Sequence, residues 1–333
     1  MSEQFVSLKK KRAPRFALED APPITSIKDL IAISKSIKFY KNIDSVMLWR
    51  ITPQLEELDS LIGMQSLKES IFYQLIYYIQ NLHTRNRAEE YLHTILIGGP
   101  GLGKTTAARI IGQLYQAMGV LSTGGPFKIA HRDDFIAGYL GQTAAKTLKL
   151  LKSCIGGVLF IDEVYALGPG QEDKDSFSKE AIDTINSFLS EHAGDFCCIC
   201  AGYDDDIRKC FFAVNQGLES RFPWVHKIEE YSSAELSQMV VKMIHEIKWE
   251  IDVAPERIAQ VIDARKDLFK NAGRDVRTYI GKCKMAHSVR VLPLSKEAKF
   301  ILTIEDLEEG LKLVTKYRTD QDTDNSTYEH MYI

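Results

Sequence analysis

The chain has 333 residues, 45% hydrophobic and 26% charged, with a formal net charge of −3. That composition fits a globular protein of about two domains, and near-neutrality gives no global pull toward nucleic acid or an anionic membrane. No run of about 18 apolar residues exists, which excludes a membrane-spanning helix.

The first stretch, MSEQFVSLKKKRAPRF, carries no apolar signal core. The six cysteines show no secreted disulfide framework, so the expectation is a reduced, intracellular chain. Residues 1–54 read as a partly helical N-terminal extension. Lys9, Lys10, Lys11 and Arg12 are expected in a solvated tail, with a localisation signal or a nucleic-acid arm as the other reading. SIKDLIAISKSIKFY is expected to contain a helix that packs on the body.

From residue 55 the pattern becomes that of an α/β domain, expected to end near 228. A turn at Ile62-Gly63 precedes a helix with Leu67, Ile71, Leu75, Tyr78 and Ile79 on one face. The apolar run ILI then enters a glycine-rich stretch. Beyond it Ala107, Ala108, Ile111, Leu114, Tyr115 and Met118 keep helical spacing, and Gly119 is the stop. PFKIAHR, GVLFIDEVYAL and FCCICAGY read as strands, with SKEAIDTINSFLSEHAGDF as a helix between the last two. Cys197, Cys198 and Cys200 sit in one apolar strand without zinc-ligand spacing, so they read as buried thiols. Strands alternating with helices imply a mainly parallel sheet with both faces covered. After Glu229 only helical spacing remains. A capping box at Ser232 and Glu235 opens the stripe Leu236, Met239, Val240, Met243, Ile244 and Ile247. A second box is expected at Thr303 and Asp306. Residues 229–318 read as a helical lid, and 319–333 as a polar tail.

The chemistry lies in two places. Gly98-Gly99-Pro100-Gly101-Leu102-Gly103-Lys104-Thr105 fits G-x-x-x-x-G-K-[ST] throughout. Glycines let the backbone fold into a nest of N–H groups aimed at phosphates, and the following helix adds its positive dipole end. Lys104 is expected on the β- and γ-phosphates of a nucleotide and the Thr105 hydroxyl on Mg²⁺, with Thr106 beside it. The strand VLFID ends in Asp162-Glu163. An aspartate there holds Mg²⁺ with the loop threonine, and an adjacent glutamate is placed to polarise an attacking water. That pairing favours hydrolysis over phosphorylation of a small acceptor. Arg221, in LESRFPW, and Arg274 and Arg277, in NAGRDVR, are cations able to offset charge on a γ-phosphate.

Together LDSLIGMQSLKESI, the phosphate loop, GYLGQTAAKT, VLFIDEVYAL, EAIDTINSFLSEH, AGYDDDI, NQGLESRF and NAGRDVR resemble the AAA+ ATPases, and within them the CbxX/CfxQ family with its red-type Rubisco activases. The resemblance spans about residues 55–285. It implies a mainly parallel five-stranded P-loop domain followed by a small helical lid. It implies Ile62 and Gly63 at the adenine, Arg221 as a finger acting on a neighbouring subunit's ATP, and Arg274 as sensor 2. Tyr203 takes the sensor 1 position, where most relatives carry asparagine or another small polar residue. Tyr139-Leu140-Gly141 matches the first pore loop, whose aromatic grips a polypeptide by contact area. The function implied is an ATP-hydrolysing homo-oligomeric ring, a hexamer, that remodels a protein client. A nucleic-acid motor or loader, and a nucleotide-gated scaffold with little hydrolysis, stay open beside it.

Overall fold

The structure is a computed structural model and describes residues 18–36, 38–85, 91–122, 124–139, 141–168, 176–192, 194–215, 217–293 and 299–329. Five strands make the central sheet: β1 (Thr94–Ile97), β2 (Phe127–Ala130), β3 (Val158–Ile161), β4 (Cys197–Gly202) and β5 (Trp224–Lys227). They run parallel in the order β2-β3-β4-β1-β5, with Thr94 facing Ile199 on one side and Trp224 on the other. Every residue of β3 and β4 is buried, which is why both read as unbroken apolar runs. In β4 the Cys198 and Cys200 thiols share one face, their sulfurs 3.7 Å apart. Edge strand β5 alternates instead, with Val225 exposed and His226 buried.

The helices are α1 (Ile27–Ser34), α2 (Ser45–Asp59), α3 (Gln65–Ile79), α4 (Lys104–Met118), α5 (Thr143–Lys152), α6 (Ser176–Glu191), α7 (Ser233–Glu246), α8 (Pro255–Asp263), α9 (Gly273–Arg290) and α10 (Ile304–Glu329). The expected stripes of α3 and α4 are buried, and Gly119 caps α4 at φ +74°. The Ser232–Glu235 box forms on α7. No helix among the described residues is long and apolar enough to cross a membrane.

Four details differ from the sequence reading. Helix α2 runs through the expected boundary at residue 54. It buries Leu48, Ile51, Leu55 and Leu58 in the core that α4 also enters, so this part of the extension is tied to the body. The strand expected through GVLFIDEVYAL stops at Ile161, because Glu163 takes a left-handed conformation at φ 51° and turns the chain. Ile247 leaves the stripe of α7, being the C-cap and 43% exposed. The backbone of α10 continues helical to Glu329, past the end of apolar spacing near Lys316, since main-chain hydrogen bonds extend a formed helix without an apolar face. Lys9, Lys10, Lys11 and Arg12 lie outside the described residues.

Asp306 does more than cap α10. It is 1% exposed and accepts from Thr303 N (3.0 Å), Arg290 Nε (2.7 Å) and Arg290 Nη2 (2.8 Å), with His287 Nδ1 at 2.9 Å. Burial works to raise its pKa, but the hydrogen bonds, that of Arg290 foremost, hold it below the ordinary carboxylate value.

Two buried histidines make stability depend on pH. His93 is fully buried; Cys198 N donates to its Nδ1 at 3.1 Å. His226 is 2% exposed, and neither ring nitrogen has a hydrogen-bond partner among the described residues. Burial lowers each to about 4 from 6.5. Between those pH values the unfolded chain binds more protons, so stability present above about pH 6.5 is lost as pH falls toward 4. From pH 7 to 5 each ring should cost about 2 kcal/mol. Urea unfolding at the two pH values checks this. His226→Phe should remove its share of the difference, whatever it does to stability at pH 7.

Candidate functional site

A cavity of about 470 Å³ opens at the carboxyl ends of β1, β3 and β4, where α7 and α9 face the sheet. In open parallel sheets that edge is where ligands bind. Its size is within the usual range for a small-molecule site.

The loop after β1 forms the floor. Gly101 and Gly103 sit at φ +72° and +88°, a region costly for other residues. A Cβ on Gly101 would lie 1.9 Å from the Asn271 carbonyl oxygen, and one on Gly103 2.8 Å from Met64 Cε. Gly273 N donates to the Gly101 carbonyl at 3.2 Å, so the turn into α9 sits directly on the phosphate loop. Helix α4 begins at Lys104 with no side-chain cap, leaving its first N–H groups to the cavity. Lys104 Nζ donates to the Gly98 and Gly99 carbonyls at 2.9 and 2.7 Å. Burial lowers its pKa; Asp162 and Glu163 pull it up, and Arg274 pushes it down. The cavity thus brings Lys104, after β1, and Arg274, on α9, together with the two carboxylates.

Asp162 and Glu163 enter from the end of β3, with Glu163 N donating to Asp162 Oδ1 at 3.1 Å. A left-handed non-glycine residue is a strained arrangement of the kind that concentrates at functional sites. Tyr203, at the end of β4, is 42% exposed, and Lys104 Nζ lies 6.0 Å from its ring centroid. Nest, cation and carboxylates together fit a nucleoside triphosphate with a divalent ion.

Of the residues expected from the sequence, the cavity gathers Ile62, Pro100, Gly101, Leu102, Gly103, Lys104, Thr105, Thr106, Asp162, Glu163, Tyr203 and Arg274. Gly63 does not line it. A Cβ there would meet Glu235 and the Tyr231 ring at 2.8 Å, so Gly63 lets the chain pack behind the wall. Arg221 is also outside the lining; its Nε donates to Ser190 Oγ at 2.9 Å and its guanidinium to the Gly217 carbonyl. Tyr139 is 74% exposed and does not line the cavity; Gly141, two residues on, sits at φ +79°, and Leu140 lies outside the described residues.

Arg277, named from the sequence beside Arg274, also lines the cavity, whereas the sequence reading gave no place here to Met64, Tyr165, Tyr231, Met239, Lys242, Met243 or Glu246. Met239 and Met243 lie four apart on α7 and carried only a packing signal. Tyr231 donates to the Leu102 carbonyl at 3.0 Å; burial, then Glu235, pushes its phenol up to about 12. Nothing in its neighbourhood in sequence pointed to the loop 129 residues earlier.

Residues 94–221 match the family described as ATPase family associated with various cellular activities (AAA). The chain is 37% identical over 298 residues to a cfxQ-like protein of Acanthamoeba polyphaga mimivirus, covering 89% of this chain and 72% of that one. It is 33% identical over 245 residues to the chloroplastic ribulose bisphosphate carboxylase/oxygenase activase of Cyanidioschyzon merolae, covering 71% and 78%. Among solved structures it resembles the FIGL-1 AAA domain in complex with ADP, with a TM-score of 0.55 at 14% identity, covering 84% of this chain and 92% of that one. A P-loop nest, an acidic pair at the next strand but one, a helical lid closing on both and relatives at this identity lead to one conclusion: the chain belongs to the CbxX/CfxQ-type AAA+ ATPases.

Proposed function

We propose that this chain hydrolyses ATP with Mg²⁺ and, as a ring of identical copies, a hexamer, uses the cycle to remodel a protein client. The convergence of Lys104, Asp162, Glu163 and the lid's Arg274 on one cavity carries the reading. The loop N–H groups and Lys104 would hold the β- and γ-phosphates. Thr105 and Asp162 would hold the magnesium ion, which supplies charge neutralisation at the phosphates. Glu163 would take the proton of the water that attacks the γ-phosphorus as the bond to the bridging oxygen breaks. Tyr203 would help place that water. Arg274 rides on α9, whose first turn bonds Gly101, so a phosphate in the loop biases the lid.

Arg221 would complete a neighbour's site, since its own cavity does not include it. Tyr139, Leu140 and Gly141 would form the client-gripping loop. The exposure of Tyr139 and the open space around Gly141 suit that role. A protein is the client class because the Cyanidioschyzon merolae relative is named as the activase of an enzyme.

Tyr139→Ala is the test. It should bind ATP and keep basal hydrolysis while losing client-stimulated hydrolysis and client unfolding, because alanine removes most of the gripping area. Tyr139→Phe should retain both. Unchanged unfolding by Tyr139→Ala would place the grip elsewhere; loss of basal hydrolysis would make the tyrosine structural.

A further inference from the structure

We propose that Arg132 is a positioning residue: its guanidinium holds the turn that keeps Glu163 in a left-handed backbone, and so aims the carboxylate. The role depends on Glu163 being the base proposed for hydrolysis. Glu163 sits at φ 51° and ψ 46°, directly after Asp162 at the end of β3. In a residue with a Cβ that conformation costs free energy, and it persists only where the surroundings over-determine it. Two bonds within the turn oppose the strain. Ala166 N donates to the Glu163 carbonyl (2.8 Å) and Gly168 N to the Tyr165 carbonyl (3.0 Å), closing the 3₁₀ helix Val164–Leu167. They use the N–H groups of Ala166 and Gly168, not the carbonyls.

Arg132 takes those carbonyls. It opens the four-residue helix Arg132–Phe135, which follows β2, the strand paired with β3. Arg132 Nη1 donates to the Ala166 carbonyl at 2.5 Å, with the Gly168 carbonyl at 3.3 Å and Ser178 Oγ at 3.1 Å. Ser178, buried on α6, in turn donates to the Gly168 carbonyl at 3.2 Å. One cation thus ties the segment after β2 and the start of α6 to the turn after β3. A charged donor makes a stronger bond to each carbonyl than a neutral one would. Gly168 is also pressed against the chain at Cys210: a Cβ on it would lie 2.1 Å from the Cys210 carbonyl oxygen.

Relaxation of Glu163 to an ordinary backbone would swing this turn and break the Arg132 bonds. The Glu163 side chain is exposed, so its aim is set by the backbone that carries it. A base that must meet one water in one place gains rate from being held there. Arg132 itself does not line the cavity, so its influence on the reaction runs through the turn.

The experiment compares native protein with Arg132→Gln, Arg132→Lys, Glu163→Gln and the double variant Arg132→Gln/Glu163→Gln. It measures ATP affinity with a fluorescent analogue, rate by single-turnover phosphate release, and the folded state by circular dichroism at the assay temperature. Arg132→Gln should keep native ATP affinity and lose at least roughly tenfold in rate, since a misplacement of about 1 Å can cost about a hundredfold. In the Glu163→Gln background the same change should cost nothing further, because residues that act as a unit are not additive. A merely structural arginine would slow both backgrounds equally, and that result overturns the proposal. Native rate in Arg132→Gln, or weakened ATP affinity, also overturns it. Should Arg132→Gln fail to fold, Arg132→Lys, which keeps the cation without the guanidinium's span, carries the same comparison in both backgrounds with a loss of roughly threefold or more. Native turnover by Glu163→Gln would instead remove the general base itself, and the role of Arg132 with it.

Discussion

Glu163→Gln should bind ATP as tightly as the native chain and turn it over at least about 10²-fold more slowly, whereas Lys104→Ala should lose ATP binding altogether. The two residues share a cavity but, on the proposed mechanism, act at different points of the reaction coordinate. Lys104 is half-buried and would meet phosphate charge already present in the ground state. Its removal leaves the loop N–H groups alone against a polyanion, so affinity falls. Glu163 is exposed at the turn after β3 and, as the proposed base, would act on a water that carries no charge until it attacks. An amide of the same shape fills its place without accepting the proton, so the loss is confined to the transition state. Equilibrium binding and single-turnover phosphate release on both proteins separate the effects. If Glu163→Gln hydrolyses normally, another residue is the base, and Asp162 is the first to examine.

Arg221→Ala should lower hydrolysis by about 10³-fold or more, the scale of an arginine finger, while leaving ATP affinity close to native. The side chain is anchored on its own subunit by Ser190 at the end of α6 and by the Gly217 carbonyl, and the ring of Phe222, 3% exposed, fixes the turn that carries it. Arg221 does not line its own subunit's cavity, so on the proposed reading its effect crosses to a neighbouring copy. Mixtures of Arg221→Ala with Lys104→Ala should therefore recover activity that neither protein has alone, because some interfaces then pair an intact loop with an intact finger. Absence of any recovery, with co-assembly shown by cross-linking, would return Arg221 to a surface role.

The sequence by itself determined the α/β class, the phosphate loop and the acidic pair. Each is local: the loop is eight consecutive residues whose glycines have one use, and Asp162-Glu163 ends an apolar strand too short and too apolar to be anything but buried. Helix spacing gave the faces of α3 and α4 for the same reason, since burial repeats with the helical period. Resemblance to a family added Arg221, Arg274 and Tyr139, which local pattern could not distinguish from surface residues. Only the tertiary structure decided what closes the site. Asn271 and Gly273 meet Gly101 from the far end of the sequence, and Tyr231 reaches Leu102 over 129 residues. Met239 and Met243 turned out to line the cavity, Gly63 to lie behind its wall, and Tyr165 to rest on Gly202 beside Glu163. Periodicity reports that a side chain is covered, but contact between elements depends on how the sheet order and the lid bring them together, and no local spacing encodes that.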